Sequence, residues 1–447
     1  MTPPERPASF RDVFAVSEYR AVYLAMMVSW VGDYLARAAI TVLVYQRTDS
    51  VLLSAAAFAV SYLPWVVGGP LLSALAERYP YRRVMIACDL FRMALVLLLV
   101  IPGMPVPAIL VVMFVITLAN APAQAARSAL LPVLLDRRQL AVAMATNATT
   151  VQAAQVIGYV AGATLAAAVH PQLAISIDAL TFAASAALIT TGVRNRPPAV
   201  NESQRSHLLK ETGAGFRLVF GNRVLRSIAL LVFALGAFAI VPEGLAAAWA
   251  AEGSSDSVSR GIDQGMIMAA GPIGFVIGGL VVGRLVAADA RQRLIRPFAI
   301  LAPLALVPAL AAPKAEVVAL LTLISGVAQG GLMPTLNTHF VLALPHGFRA
   351  RAFGVMQQGI QLSQGGAVLL TGVLAEHSKV PPVVGLWSVG GVVLMVVLAI
   401  RWPSARLMDR EIERAEHGVP AIPAARGRRN ARHTPQHVSG AAGRMDA

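Results

Sequence analysis

The chain has 447 residues, is 57% hydrophobic and only 13% charged, and carries a formal charge of +14. A soluble domain holds about 25% charged residues, so composition excludes a soluble globular protein and predicts an integral membrane one. The basic excess would suggest nucleic acid in a soluble chain, but here it falls between apolar runs without a zinc-finger spacing or a Gly-rich phosphate loop, and no nucleic-acid partner is expected.

Residues 1–19 are polar and contain Pro3, Pro4 and Pro7. No small-residue cleavage site follows an early apolar stretch, so no removable signal peptide is expected. About 20 mainly apolar residues cross a bilayer. Twelve such spans are predicted, at 20–46, 52–76, 84–101, 106–126, 140–168, 173–193, 225–250, 263–287, 294–312, 315–342, 351–376 and 382–401.

The basic residues test this map. With the N-terminus inside, the outer segments hold only Arg47, Arg260, Lys314 and Lys379, and Arg37 and Arg92 fall within spans. Every other Arg and Lys lies in an inner segment, which places both termini in the cytoplasm by the positive-inside rule. The 34 Arg against 3 Lys, with abundant Ala, hint at a GC-rich bacterial genome and hence a bacterial inner (cytoplasmic) membrane. The lone Cys88 excludes an intramolecular disulfide and a cysteine metal cluster and reads as a small buried apolar residue.

The two parts of the chain repeat. Gly68-Gly69-Pro70-Leu71-Leu72-Ser73 aligns with Gly278-Gly279-Leu280-Val281-Val282-Gly283 at an offset of 210, which also pairs Gly162 with Gly372; Thr48-Asp49-Ser50 pairs with Ser255-Asp256-Ser257 at 207. The expected fold is therefore an all-α membrane protein of twelve transmembrane helices in two pseudo-symmetric six-helix halves. The halves are 20–193 and 225–402, with a substrate site at mid-membrane between them. Residues 194–224 form a cytoplasmic linker with an amphipathic stretch (Leu208, Leu209, Phe216, Val219, Phe220) suited to the inner surface. After a short charged helix near 406–416, the basic tail 403–447 is expected to be disordered; its Arg426, Arg428, Arg429 and Arg432 read as solvated, with anionic lipid as the alternative contact.

A charge at membrane depth costs about 3 kcal/mol or more and faces a protein interior or a wetted cavity. Asp33 lies inside the apolar run 23–44, with Arg37 one turn on, so the two share a helix face and can pair. Two roles stand open for the pair: a carboxylate that takes up and releases a proton, or a permanent internal ion pair. Glu243, between Pro242 and Gly244, is a third proton-coupling candidate, or else simply solvated near the outer surface. Asp178 reads as structural.

Asn120, Gln124, Asn147, Gln152, Gln155, Gln329, Asn337, His339, Gln357, Gln361 and Gln364 put amides and an imidazole at lipid depth, and some must line a cavity. His339 also reads as an ordinary interior histidine. Trp30, Tyr34 and Trp65 could stack on a flat substrate or serve as interface anchors. The pairs Gly158/Gly162, Gly274/Gly278, Gly279/Gly283 and Gly326/Gly330 read as close helix contacts.

The stretch from Ser73 through Glu77-Arg78-Tyr79-Pro80-Tyr81 to Arg82-Arg83 resembles the inner loop of the major facilitator superfamily, Gly-x-x-x-Asp-Arg-x-Gly-Arg-Arg/Lys. Here Ser73, Glu77 and Pro80 replace the usual Gly, Asp and Gly. Ser29-x-x-Gly32-Asp33, Asp89-Leu90-Phe91-Arg92, the run from Ala126-Arg127 to Pro132, and Arg349-Ala350-Arg351-Ala352-Phe353-Gly354 resemble its proton-coupled drug, macrolide and siderophore exporter branch. The likeness covers about 15–402. Two departures stand out: Gly158-Tyr159-Val160-Ala161-Gly162 lacks the proline of many drug–proton antiporters, and span four offers Asn120 and Gln124 in place of a mid-span Arg.

The resemblance implies an inner gate formed by Ser73, Glu77, Arg78, Arg82, Arg83, Asp89, Arg92 and Arg127. It implies a monomeric secondary active transporter in the lipid bilayer, exporting a hydrophobic or amphipathic small molecule against protons by alternating access. No cofactor, metal or enzymatic activity is expected: there is no Walker-type segment, and His170, His339, His346 and His377 are scattered. An importer or lipid flippase on the same fold, and a non-transporting membrane sensor or scaffold, are the alternatives.

Overall fold

A computed structural model of the chain describes residues 9–64, 78–197, 208–345 and 348–416. Trp65, Ser73, Glu77, the 68–73 repeat, His346 and the basic tail beyond 416 lie outside these residues. The described residues are helical throughout, with no strand among them.

A short α1 (Phe10–Ala15) precedes α2 (Ser17–Thr48), α3 (Val51–Ala59), α4 (Tyr81–Leu99), α5 (Val106–Leu134), α6 (Arg137–Ala168) and α7 (Pro171–Gly192). A connecting helix α8 (Leu208–Gly221) leads to α9 (Arg223–Ala239), α10 (Val241–Gly244) and α11 (Ala246–Gly253). Then come α12 (Ser257–Leu285), α13 (Ala288–Leu304) with a 3₁₀ turn, α14 (Ala315–Leu342), α15 (Arg349–Ala375), α16 (Val380–Ile400) and α17 (Ala405–Glu416).

Among the described residues, nine helical segments are long and apolar enough to cross a membrane. The other three expected spans fall on α3, α4 and α15. Part of the α3 span lies outside the described residues, α4 carries Arg82, Arg83, Asp89 and Arg92, and α15 carries Gln357, Gln358, Gln361 and Gln364.

Local chemistry sets the helix ends. Asp136 caps α6, accepting from the backbone of Arg138 and Gln139 while Gln139 reaches back. Ser50, Asn222 and Asp256 cap α3, α9 and α12. Asp49 ends α2 in the left-handed region at φ 49°. Pro242-Glu243-Gly244 breaks the span expected at 225–250 into α9, α10 and α11. Such breaks survive at membrane depth where neighbouring helices re-satisfy the backbone.

The helices alternate in direction; the side on which α2 begins and α7 ends is here called the terminal side, and the side on which α2 finishes the distal side. Helices α2–α7 surround one apolar core (Leu35, Val96, Ile116, Phe182) and α9–α16 another (Leu235, Phe238, Leu336, Met395). A third cluster (Phe58, Tyr159, Trp249, Ile267, Val368) draws on both groups. On the terminal side Glu18 ties α2 to the end of α7, accepting from Arg196 at 2.6 and 2.9 Å and from the Arg194 backbone at 3.1 Å.

The connecting helix does not lie free along a surface. Val219 is fully buried, Gly215 packs on the Arg351 backbone of α15, and Phe216 is half exposed. The helix at 405–416 forms as expected and buries Met408 and Ala415.

The closest helix contact joins α12 and α14. A Cβ on Gly274 or Gly278 would overlap the Leu323 or Val327 carbonyl, and one on Gly326 or Gly330 would overlap that of Gly271 or Phe275. Gly158 and Gly162 meet α2 in the same way at Val31, Tyr34 and Leu35. The pair Gly279/Gly283 does not pack as the sequence suggests: Gly279 is at ordinary contact distance and Gly283 faces open space. Gly278→Val should therefore destabilise the protein by about 1–3 kcal/mol through forced separation of two backbones, whereas Gly283→Ala, in open space on a helix, should not lower the thermal midpoint in detergent.

Candidate functional site

Between the two groups lies a cavity of about 480 Å³. From the first group it is walled by α2 (Trp30, Asp33, Tyr34, Arg37), Ser61 and Tyr62, α5 (Asn120, Gln124) and α6 (Gln152, Gln155). From the second come Glu243 of α10, Phe275 of α12, Thr322, Gln329 and Met333 of α14, and Gln357, Gln361 and Gln364 of α15. Of the amides and the imidazole singled out in the sequence, all but three therefore converge on the cavity. Asn337 is exposed away from the cavity, and His339 bonds the Thr335 carbonyl one turn back at 2.8 Å. Asn147 also stands outside the wall.

The expected Asp33–Arg37 pairing does not form. Asp33 instead accepts from Arg92 of α4, whose side chain is 3% exposed and whose guanidinium lies 4.2 Å from the centre of the Phe182 ring. Arg92 is thus held within α4 against Asp33 of α2. A smaller chamber of about 70 Å³ continues from Asp33 past Arg92, Met113 and Asn120 to Asp178. Asp178 is 2% exposed and accepts from Thr181 at 3.2 Å. A Cβ on Gly32 would collide with both, which is why Gly precedes Asp33 here. Deeper in this group, Asp89 accepts from Ser185 at 2.6 Å, and Arg127 donates to Gln124 at 3.2 Å. Of the remaining described gate residues, Arg82 donates to the Thr190 carbonyl at 2.6 Å, and Arg78 and Arg83 are exposed.

Arg37 lies over three rings. Its guanidinium is 5.2 Å from the Tyr34 ring centre, 5.6 Å from Tyr62 and 5.8 Å from Phe58, within the range of cation–π attraction. Glu243 is not solvated at a surface: it is 7% exposed and accepts from Gln155 of the opposite group at 3.2 Å. Gln155 also reaches the Tyr159 hydroxyl at 3.5 Å. Room for the carboxylate comes from Gly271, where an added Cβ would stand 3.0 Å from Oε1. The aromatic and apolar wall (Tyr62, Phe275, Met333) was invisible in the sequence, because such residues in apolar spans carry no distinguishing signal. Tyr159 was marked only by its place between Gly158 and Gly162.

From Glu243 outward on the distal side the groups are joined. Gln264 of α12 donates to the Ala38 carbonyl and to Thr41 of α2, both at 3.2 Å. Gly261 lies against Ala163 of α6, and Gly372 against Leu52 and Ala55 of α3. At the rim Glu376, just past α15, receives the Leu52 N–H at 2.7 Å and the Ser50 hydroxyl at 2.8 Å. A carboxylate from one group thereby caps a helix of the other.

Two groups of membrane-length helices around an amide-lined cavity are the arrangement of a membrane transporter. The chain belongs to the major facilitator superfamily, whose sequence profile matches residues 22–312 and 244–436. Solved structures share the fold. A peptide transporter POT in complex with sulfate has TM-score 0.68 at 13% identity over 91% of this chain and 97% of that one. The nucleoside transporter NupG has 0.62 at 15% over 86% and 99%. A bacterial homolog of the human lysosomal transporter Spinster, in an inward-facing and occupied conformation, has 0.63 at 14% over 90% and 97%. No curated protein sequence matches the chain significantly.

The distal rim carries a titratable contact. The Leu52 amide holds the Glu376 carboxyl below its ordinary value, helped by the Ser50 hydroxyl. A depressed carboxyl stabilises the contact fully above its free value and loses that contribution as pH falls through its bound value. Distances between spin labels at Arg47 and His377 should shift to longer values as pH falls below about 4.5, the ordinary glutamate value. Glu376→Ala should lengthen them at neutral pH and remove the pH response.

Proposed function

We propose that this transporter exports an amphipathic small molecule in exchange for protons, by rocking of two six-helix halves, 20–193 and 225–402, about the cavity. In this reading both termini are cytoplasmic, the membrane is a bacterial inner membrane, and the protein works as a monomer. The observation that carries it is Glu243: a nearly buried carboxylate on a broken helix segment that faces the same cavity as Asp33 and takes its hydrogen bond from the opposite group. A proton on Glu243 would remove its charge and change what Gln155 and Tyr159 can hold, which links protonation to the contact between the halves.

Asp33 is the second proton candidate. Its partner Arg92 is nearly buried, so a proton arriving on Asp33 would compete with that ion pair. The cavity volume suits a small organic molecule. Its amides offer donors and acceptors, Tyr34, Tyr62, Trp30 and Phe275 offer faces for an apolar portion, and Arg37 is already engaged by aromatic rings, which supports an amphipathic substrate over a strongly anionic one. The distal joining of the halves corresponds to a cavity loaded from the terminal side, the cytoplasm in this reading. The inner-gate role of Arg78, Arg82, Arg83, Asp89 and Arg127 rests on the motif resemblance.

The test is flux of ethidium and related amphipathic fluorophores in proteoliposomes under an imposed pH gradient. The parent should move dye only with the gradient. Glu243→Gln should reduce gradient-driven flux by about tenfold or more, in the range of ordinary coupling energies, while equilibrium dye binding persists. Asp33→Asn should act in the same direction. Parent flux that ignores the gradient overturns proton coupling. Coupled flux untouched by Glu243→Gln removes Glu243 as the carrier, and movement with the opposite sense relative to the gradient favours an importer.

A further inference from the structure

The groove between the start of α9 and the end of α16 is lined by Arg223, Arg226, Ser227, Leu230, Leu398 and Arg401, around an open space of about 530 Å³. We propose that it binds an anionic phospholipid, with the headgroup phosphate among the three arginines and an acyl chain along the two leucines.

Helical spacing assembles the site. Residues 223, 226, 227 and 230 follow one face of α9, and 398 and 401 follow one face of α16 where the two helices pack together. The depth fits a headgroup. Arg223 opens one membrane-spanning segment, Arg223–Gly244, and Arg401 directly follows another, Val380–Ile400, so the guanidinium groups stand at one edge of the apolar slab. Leu230 and Leu398 lie one to two turns further in, and Leu230 is 40% exposed on the lipid-facing surface.

Among the described residues, no carboxylate forms an ion pair with Arg223, Arg226 or Arg401. Glu411, which reaches the nearby cap Asn222 at 2.8 Å, is also held by Arg414 at 2.7 Å. Three arginines over an apolar floor match a phosphodiester carrying fatty chains: guanidinium forks take phosphate oxygens in pairs, and basic pockets between membrane helices favour anionic headgroups.

The experiment titrates the purified full-length protein with phosphatidylglycerol, phosphatidylcholine and inorganic phosphate, counting bound molecules by native mass spectrometry. Arg226→Gln with Arg401→Gln should weaken phosphatidylglycerol binding by about fivefold for each arginine removed. Arg226→Lys with Arg401→Lys should retain most of it. Arg284→Gln with Arg296→Gln, which removes the same charge on the same side of the bundle, should leave it nearly unchanged. Phosphatidylcholine should bind all forms alike, and inorganic phosphate should not displace the lipid. The proposal fails if the Arg284/Arg296 pair loses as much affinity as the groove pair, if phosphatidylcholine equals phosphatidylglycerol in the parent, or if inorganic phosphate competes at millimolar concentration, which would mark a free-anion site.

Discussion

An ionisable group at membrane depth must be paired, hydrogen-bonded or wetted, and the interior of this protein is organised around that requirement. Asp33 is answered by Arg92, Asp89 by Ser185, Asp178 by Thr181 and Glu243 by Gln155. The first three find these partners within α2–α7. Glu243 does not: its hydrogen bond crosses to the other group. Among these four carboxylates, the one that depends on how the groups sit together is therefore the one at the break in a membrane helix.

Packing divides the molecule into parts that touch by backbone and parts held apart by side chains. Along α12 and α14, and where α2 meets α6, glycines let main chains meet directly, so these pairs can move only as units. Around the cavity, amides and aromatics of intermediate exposure stand between the helices and leave space. The distal contacts are of a different kind again. Gln264 on α2, and Glu376 at the N-terminus of α3, are a few polar bonds at the edge of an apolar seam. Such bonds can be exchanged for water, whereas the apolar cluster shared by both groups (Phe58, Tyr159, Trp249, Ile267, Val368) must be exposed if this side parts.

Much of this was written in the chain. Apolar runs gave the order and approximate placement of the helices, because a bilayer tolerates few alternatives to a helix of that length, but not the break at Pro242-Glu243-Gly244 or the extension of α5 to Leu134. The amides of α5, α6, α14 and α15 marked the cavity, since hydrogen-bonding side chains have little other use at that depth. The same logic failed for Asn337 and His339, near the terminal-side end of α14, where exposure or a local backbone bond satisfies a polar group. It was blind to Tyr62, Phe275 and Met333, which look like any other apolar residue of a span.

The sequence by itself determined the membrane class, the helices, the internal repeat and the polar residues that had to find company. Only the tertiary structure decided which company. Four-residue spacing put Asp33 and Arg37 on one face, yet Asp33 chose Arg92 from another helix and Arg37 took the rings of Tyr34, Tyr62 and Phe58. Glycine pairs with the same spacing packed at Gly274/Gly278 and stood open at Gly279/Gly283. The reason is geometric: periodicity along one helix fixes which residues share a face, while the neighbour that face meets depends on how separate helices cross, and no local pattern encodes that.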